Sequence, residues 1–178
     1  MPMKALLLDR DGVVNVDHGY VCSVDRFAFV DGIFALARRA VDLGYRVVVI
    51  TNQSGIARGY YTESDFHALS RWMGAEFARH GVTLAGVFHC PYHKVGTASP
   101  YSRESFWRKP NPGMILEAQR VLGLDLARSV FVGDQPTDMA AARAAGVGTR
   151  VFFGAAPESG PDAGHAVARL AEVEALLG

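Results

Sequence analysis

Short apolar runs alternate with longer amphipathic segments along most of the chain. The apolar runs are rich in branched and aromatic residues, and they cover residues 5–8, 46–50, 85–89, 129–132 and 149–153. Each run is almost continuously hydrophobic and lacks strict alternation, which is typical of parallel strands that are covered on both faces. The pattern therefore predicts five buried strands.

The amphipathic segments predict helices over residues 32–43, 62–80, 112–122, 137–145 and 167–177. Thr62 suits an N-cap and Pro112 suits a first helical position, and a glycine follows the first, second and fourth segments. Strands that alternate with helices predict an α/β fold with a doubly wound, mostly parallel sheet. In such sheets ligands bind at the carboxyl ends of the strands, near a topological switch point.

The long stretch from 91 to 111 has no periodicity, and loops of that length in compact domains are often functional. The rest of the pattern shows neither a repeat nor a low-complexity linker. With 178 residues, the chain is predicted to form a single domain over 1–178 that is large enough to bury a core.

Composition narrows the class of protein. Lys and Arg together number 18, as do Asp and Glu, so there is no basic excess for binding nucleic acid or an anionic membrane. Two cysteines suggest no disulfide framework, and no apolar run approaches the roughly 20 residues of a membrane span. We therefore expect a cytoplasmic protein, monomeric by default.

Four polar clusters carry the candidate chemistry. Three follow predicted strands, namely DRDG at 9–12, TNQSG at 51–55 and GDQPTD at 133–138, while RKP at 108–110 opens a helix. A parallel sheet brings such clusters to one edge. Alternation along an extended chain points Asp9 and Asp11 to one side and Arg10 to the other. With Asp134 nearby, the carboxylates would repel one another unless a hard cation such as Mg²⁺ joined them.

These clusters resemble, in order, the four motifs of haloacid-dehalogenase (HAD) superfamily phosphatases, and the similarity spans almost the whole chain. The stretches DRDGVVNVDHGYV, TNQSGIARG and RKPNPGM are similar to those of D-glycero-D-manno-heptose 1,7-bisphosphate phosphatases, near relatives of the histidinol phosphatases. The resemblance implies a Rossmann-like HAD core. It also implies Mg²⁺-dependent hydrolysis of the C7 phosphate of a small sugar bisphosphate, in the supply of activated heptose for lipopolysaccharide.

The resemblance also implies roles for the motif residues. Mg²⁺ would be held by the side chains of Asp9 and Asp134 and by the backbone carbonyl of Asp11. Asp9 would attack phosphorus to form an aspartyl-phosphate, and Asp11 would be the general acid and base. The charge of the transferring phosphoryl group would be met by Lys109, Thr51 and Asn52. Asp138 either supports the loop around Asp134 or is an exposed acid in the first turn of a helix.

Substrate recognition is assigned to loops. About 40 residues separate the first two motifs and about 55 separate the second from the third, whereas an independent cap domain needs at least about 50 to itself. No separate cap domain is therefore expected. The predicted substrate-binding residues are Asp17, His18, Gly19, Tyr20, Asn52, Gln53, Ser54, Arg108 and Gln135. Arg108 suits a distal phosphate because its guanidinium is bidentate, and residues 17–20 are equally compatible with a plain turn.

The third loop departs from the family. Relatives commonly hold this loop with zinc through Cys-x-His and Cys-x-Cys, but the corresponding residues here are Cys90-Pro91-Tyr92 and Ser105-Phe106-Trp107. One thiol is too few for a tetrahedral site with four N/S ligands, so no structural zinc is predicted. A metal on His89, Cys90 and His93 is a weaker alternative, and aromatic packing is expected to hold the loop.

Two other functions remain open from the sequence. Histidinol-phosphate phosphatases share the same catalytic set, but an amino-alcohol substrate favours acids where Arg108 stands. A receiver-like signalling module also uses acids, Thr and Lys on a parallel sheet. It would lack the acid at the position of Asp11, and it would be phosphorylated stoichiometrically without turnover.

Overall fold

A six-stranded, entirely parallel sheet forms the centre of the molecule. The computed structural model describes residues 1–98 and 100–178. The strands are β1 (Ala5–Leu8), β2 (Arg46–Asn52), β3 (Leu84–Cys90), β4 (Val130–Gly133), β5 (Thr149–Phe153) and β6 (His165–Val167). They are ordered β3-β2-β1-β4-β5-β6. The predicted α/β fold with a doubly wound sheet is confirmed.

Helices cover both faces of this sheet. They are α1 (Ile33–Asp42), α2 (Ser54–Ala57), α3 (Glu63–Arg79), α4 (Gly113–Leu122) and α5 (Pro136–Ala145). Short 3-10 turns lie at Val24–Arg26, Leu126–Arg128, Ala156–Glu158 and Leu170–Leu176. No helix in the described part of the chain is long and apolar enough to cross a membrane.

The continuous hydrophobicity of the strands supplies two cores, one on each face. Successive side chains of a strand point to opposite faces. In β1, Leu6 and Leu8 join one buried cluster, while Ala5 and Leu7 join the other. All four side chains are fully buried, which is why the run contains no polar residue.

The direction in which successive strands are added to the sheet reverses between β1 and β4. The chain adds β2 and β3 on one side of β1 and then returns to place β4 on the other. Leu8 pairs with Val132, and the Asp9 N–H donates to the Val132 carbonyl at 3.0 Å. The chain segments that leave β1 and β4 therefore separate from the same point, and this switch point is where a ligand is expected.

The five predicted strands and four of the five predicted helices agree with the structure within two residues. A helix over 167–177 is wrong: residues 165–167 form the edge strand β6, and Leu170–Leu176 is a 3-10 helix. The apolar residues Leu170, Val173 and Leu176 recur every three positions, which matches the three-residue turn of a 3-10 helix. The short helix α2 was not predicted either.

Candidate active site

A cavity of about 370 Å³ opens at the carboxyl end of the sheet, over the switch point. It is lined by Asp9, Asp11, Asp17, Gly19, Tyr20, Asn52, Gln53, Ser54, Tyr61, Lys109, Asp134, Gln135, Thr137 and Asp138. Residues from all four polar clusters therefore meet, as a parallel sheet requires. Of the predicted site residues, Thr51, His18 and Arg108 do not line this cavity.

Lys109 is the buried cation at the floor of the site. Its Nζ lies 2.9 Å from Asp9 Oδ1 and 2.6 Å from Asp138 Oδ1, and it also donates to the Ile50 carbonyl at 3.0 Å. Burial alone would lower the pKa of Lys109, but Asp138 and Asp9 together raise it well above its usual value. The ammonium is therefore permanently charged and fixed between two carboxylates.

Asp138 connects this cation to the loop after β4. Its Oδ2 accepts from the backbone N–H groups of Asp134 and Gln135, both at 3.1 Å, while its Oδ1 faces Lys109. The side chain is almost fully buried. These contacts favour the predicted supporting role of Asp138 over the alternative of an exposed acid in the first turn of α5.

The negative charges of three acids at the switch point are only partly balanced by neighbouring groups. Carboxylate oxygens of Asp9, Asp134 and Asp138 all lie within 4.8 Å of one another, and Oδ1 of Asp134 is buried without a hydrogen-bond partner. Burial first, and then the neighbouring carboxylates, raise the pKa of Asp9 and of Asp134. A second positive charge beside Lys109 would remove this conflict, and a donor set of carboxylate oxygens suits a hard divalent cation.

The carboxylate of Asp11 is held apart from this acid cluster. Oδ1 accepts from Arg10 Nη2 at 2.8 Å and from Asn15 Nδ2 at 3.0 Å, and Oδ2 accepts from Gln53 Nε2 at 3.0 Å. Asp9 and Asp11 line the cavity whereas Arg10 does not, in agreement with the prediction. The strand ends at Leu8, however, and the buried Arg10 guanidinium donates to both Asp11 and the Val21 carbonyl.

A further chain of hydrogen bonds fixes Gln53. Its Nε2 also donates to Thr51 Oγ1 at 2.9 Å, and its Oε1 accepts from the hydroxyl of Tyr61, whose pKa is raised, mainly by burial. Thr51 is fully buried, so its hydroxyl is bound to Gln53 behind the cavity wall. Tyr61 and Asn15 were not predicted from the sequence, because neither belongs to a cluster of polar residues.

The side chain of Asn52 makes two hydrogen bonds to the backbone of Lys109, which lies in a neighbouring loop. Its Nδ2 donates to the Lys109 carbonyl at 3.2 Å, and its Oδ1 accepts the Lys109 N–H at 3.1 Å. Asn52 also lines the cavity. Asn52 therefore positions the backbone of Lys109 and also borders the cavity.

Residues 17–20, which were predicted to bind substrate, form the turn that the sequence also allowed. Asp17 Oδ1 accepts the Gly19 N–H at 2.9 Å, and the Tyr20 ring packs edge-on against Tyr60 at 4.7 Å between centroids. His18 is exposed, and its carbonyl accepts from Arg26 at 2.8 Å. The loop thus turns at Asp17 and places Tyr20 on the cavity rim.

A second cavity of about 570 Å³ is lined by Arg108 and other polar residues of the third loop. They include His93, Lys94, Glu104, Ser105 and Asn111. Nη1 of Arg108 is buried without a partner. Because Arg108 is adjacent to Lys109 in sequence, this cavity neighbours Lys109 along the chain.

The described part of the third loop contains no helix or strand from 91 to 111. Cys90 is buried and unpaired, and among the described residues neither it nor His93 belongs to a group of three candidate metal ligands. Aromatic contacts within the loop agree with the expected aromatic packing. Tyr92 packs against Tyr101 with 6.0 Å between the ring centroids. The guanidinium carbon of Arg103 lies over the Tyr92 ring, 4.0 Å from its centroid.

Gly12 lets the first motif approach the loop after β4. Its φ is +90°, and a Cβ added there would lie 2.0 Å from Asp134 Oδ2. We expect Gly12→Ala to displace the Asp134 carboxylate, to raise the Mg²⁺ concentration needed for half-maximal activity, and to lower activity by about 10²-fold or more. A Mg²⁺ titration of initial rates measures both effects.

Gly44 provides the matched control for this substitution. Its φ is +83°, but a Cβ there would meet nothing within 4 Å. Gly44→Ala should therefore lose only about 1–2 kcal/mol of stability from the left-handed backbone, with unchanged activity. Equal activity of the two variants would contradict the close approach of Gly12 and Asp134.

The fold and the site together define a class of enzyme, the HAD-type hydrolases. Residues 106–151 match the Hydrolase_like family model, described as HAD-hydrolase-like. The chain is 31% identical to D,D-heptose 1,7-bisphosphate phosphatase from B. bronchiseptica, a structure complexed with magnesium and phosphate. That superposition has a TM-score of 0.82 and covers 98% of each chain.

Curated relatives narrow the class. The chain is 53% identical over 153 residues to the D-glycero-alpha-D-manno-heptose-1,7-bisphosphate 7-phosphatase of Burkholderia mallei, covering 86% of this chain and 81% of the relative. It is 45% identical over 164 residues to the beta-named enzyme of Escherichia coli K12, covering 92% and 86%. The chain belongs to the heptose-1,7-bisphosphate 7-phosphatase family. It is therefore a phosphatase, and the receiver-like alternative is excluded.

Proposed function

We propose that this chain hydrolyses the C7 phosphate of D-glycero-D-manno-heptose 1,7-bisphosphate with the help of Mg²⁺. The main support for phosphoryl transfer at this site is the arrangement of charges around Lys109. Its ammonium lies between Asp9 and Asp138, near a buried Asp134 oxygen that has no hydrogen-bond partner. This arrangement stabilises transferred negative charge and leaves a place for a divalent cation.

The acid cluster fits Mg²⁺. We assign its protein ligands to the side chains of Asp9 and Asp134 and to the backbone carbonyl of Asp11. The orphaned Asp134 oxygen and the raised pKa values of Asp9 and Asp134 support this assignment. When bound, the ion supplies charge neutralisation for the phosphoryl group and for the carboxylates.

Asp9 is assigned as the nucleophile. Its carboxylate oxygen forms a bond to phosphorus as the bond between phosphorus and the C7 oxygen breaks, which gives an aspartyl-phosphate on Asp9. Lys109 balances the charge of the phosphoryl oxygens throughout, and the two hydrogen bonds from Asn52 keep Lys109 in place. A water then attacks phosphorus, releases phosphate and restores the Asp9 carboxylate.

Asp11 is assigned to move the proton. It donates a proton to the leaving C7 alkoxide in the first step and removes one from the attacking water in the second. The contacts with Arg10, Asn15 and Gln53 keep its side chain on the cavity wall, apart from the acid cluster. Gln53 and Tyr61 act through Asp11 and are positioning residues in this scheme.

The cavity at Arg108 supports a bisphosphate over histidinol phosphate. Arg108 offers a buried Nη1 without a partner. Lys94 and Arg108 line this cavity together with Glu104, and burial, followed by Arg108, Arg58 and Lys94, lowers the pKa of His93. A distal phosphate suits these cations, whereas the amine of histidinol phosphate would be repelled.

Arg108→Gln tests this assignment. We expect KM for the heptose bisphosphate to rise about 10- to 100-fold, since a charged hydrogen bond is worth about 1.5–3 kcal/mol. With p-nitrophenyl phosphate, which has no distal phosphate, kcat/KM should stay close to that of the unchanged protein. Arg120→Gln is the matched control, because that arginine is exposed on α4 and pairs with Glu117. An equal loss of kcat/KM on both substrates would mean that Arg108 supports the structure of the site and does not bind the distal phosphate.

A substrate panel tests the function itself. Phosphate release is measured from the α and β anomers of the heptose bisphosphate and from histidinol phosphate, with and without Mg²⁺. Both anomers are needed because the relatives carry different anomers in their names. We expect Mg²⁺-dependent turnover with kcat/KM highest for one heptose bisphosphate. Preferred turnover of histidinol phosphate would overturn the proposal.

We also propose a domain organisation, a cellular compartment and an oligomeric state for this chain. The chain acts as one catalytic domain over 1–178, in which loops take the place of a cap. Cys22 and Cys90 are both unpaired, which supports a reducing cytoplasm. We expect a monomer in solution, checked by light scattering.

A further inference from the structure

A second group of potential metal ligands lies outside the active site. Glu63 and His67 are one turn apart on α3, so their side chains share a face of the helix. His89 approaches them from β3. One carboxylate oxygen and two imidazole nitrogens of these residues lie within 4.8 Å of one another. None of the three takes part in the chemistry assigned above.

Neighbouring side chains orient two of these groups. His89 Nε2 lies 3.0 Å from Glu63 Oε1, and the His89 ring stacks on Phe66 at 4.3 Å between centroids. The second carboxylate oxygen, Glu63 Oε2, accepts from the Tyr101 hydroxyl at 3.3 Å. A ligating carboxylate is commonly held by such an outer hydrogen bond. His67 is exposed, and its ring centroid lies 5.3 Å from that of His89, so it is free to turn inward.

We propose that Glu63, His67 and His89 form a binding site for Zn²⁺. Two imidazoles and one carboxylate are a familiar zinc donor set, with water in the fourth position, whereas Mg²⁺ prefers oxygen ligands alone. Bonds of about 2.0–2.2 Å in tetrahedral geometry require donors about 3.3–3.6 Å apart. The donor atoms already lie within 4.8 Å of one another, so an approach of about 1.5 Å or less brings them to this spacing.

The bound ion would join α3 to β3 and, through Tyr101, to the third loop. A cavity of about 380 Å³, lined in part by Glu63, His89 and Tyr92, opens beside the site. The expected absence of structural zinc concerned the thiol positions of the family's loop. This site uses no thiol and lies on different elements, so it is a separate way of fixing the same loop.

Zinc titration of the full chain tests the site. Metal-free protein is titrated with Zn²⁺ by calorimetry in excess Mg²⁺, which occupies the acid cluster, and bound zinc is counted after dialysis. We expect one zinc per chain and a melting temperature that rises with Zn²⁺. His67→Gln and Glu63→Gln should each weaken binding more than about tenfold, and Tyr101→Phe about tenfold.

Matched variants make the outcome decisive. His165→Gln changes an exposed histidine on β6 and should bind zinc as the unchanged protein does. Unaltered affinity in both His67→Gln and Glu63→Gln would overturn the proposal. Loss of binding in Cys90→Ala alone would place the ion at the thiol instead and also overturn it. Phosphatase activity of His67→Gln in Mg²⁺ should be unchanged, so this result is independent of the proposed function.

Discussion

An Asp9→Asn protein is expected to show no measurable turnover. The amide keeps an oxygen that accepts from Lys109 and from the Arg10 N–H, as Asp9 Oδ1 does at 2.9 Å in each case. The shape of the site is therefore preserved, and what is lost is the anionic oxygen that we propose bonds to phosphorus. Covalent catalysis has no substitute nucleophile at this point of the sheet, because Asp134 lies in the loop after β4 and Asp138 lies in the first turn of α5. The measurement is kcat on the heptose bisphosphate.

Two further variants separate loss of the nucleophile from general damage. Asp11→Asn should lower kcat by about 10²- to 10⁴-fold through loss of proton transfer, while acid quenching still traps labelled phosphate on the protein. The Asp9→Asn protein should trap none. Asp31→Asn changes an exposed acid before α1 and should leave kcat unchanged. A residual rate in Asp9→Asn within tenfold of the unchanged protein would exclude an aspartyl-phosphate on Asp9.

The central strands β1, β2 and β4 were predictable because almost all of their side chains are buried. A strand such as β1, with all four side chains buried, cannot tolerate a polar residue, so its bounds are visible in the sequence. The edge strand β6 covers only His165–Val167, with two of three residues exposed, and shows no such pattern. The tail after it was mistaken for an α-helix because apolar spacings of three and four are common to both helix types.

The candidate site was predictable as far as it depends on strand ends. Parallel strands deliver Asp9, Asn52 and Asp134 to one edge whatever the loops do. Contacts that depend on loop paths were not predictable, such as the Tyr61 hydroxyl on Gln53 and the Arg10 guanidinium on Asp11. These pairs arise from turns and packing, and no periodicity in the sequence encodes them.

Lys109→Met is expected to reduce both activity and stability. Removal of the cation leaves Asp9 and Asp138 buried and facing each other without compensation, and breaking a buried ion pair from one side costs about 3–5 kcal/mol. Loss of a fixed charge that stabilises the phosphoryl group should lower kcat by about 10²- to 10³-fold. Urea unfolding without Mg²⁺ measures the first effect, and steady-state kinetics in Mg²⁺ measures the second.

A second substitution should divide these two effects. In Lys109→Met combined with Asp138→Asn, the amide oxygen still accepts from the Asp134 and Gln135 N–H groups, but one uncompensated charge is gone. We expect the double variant to be more stable than Lys109→Met, while its kcat stays as low, because no cation has returned to the phosphoryl group. If the double variant recovered activity together with stability, Lys109 would act only by neutralising Asp138. Lys109 would then have no direct part in phosphoryl transfer, and the charge at the transition state would be balanced by Mg²⁺ without it.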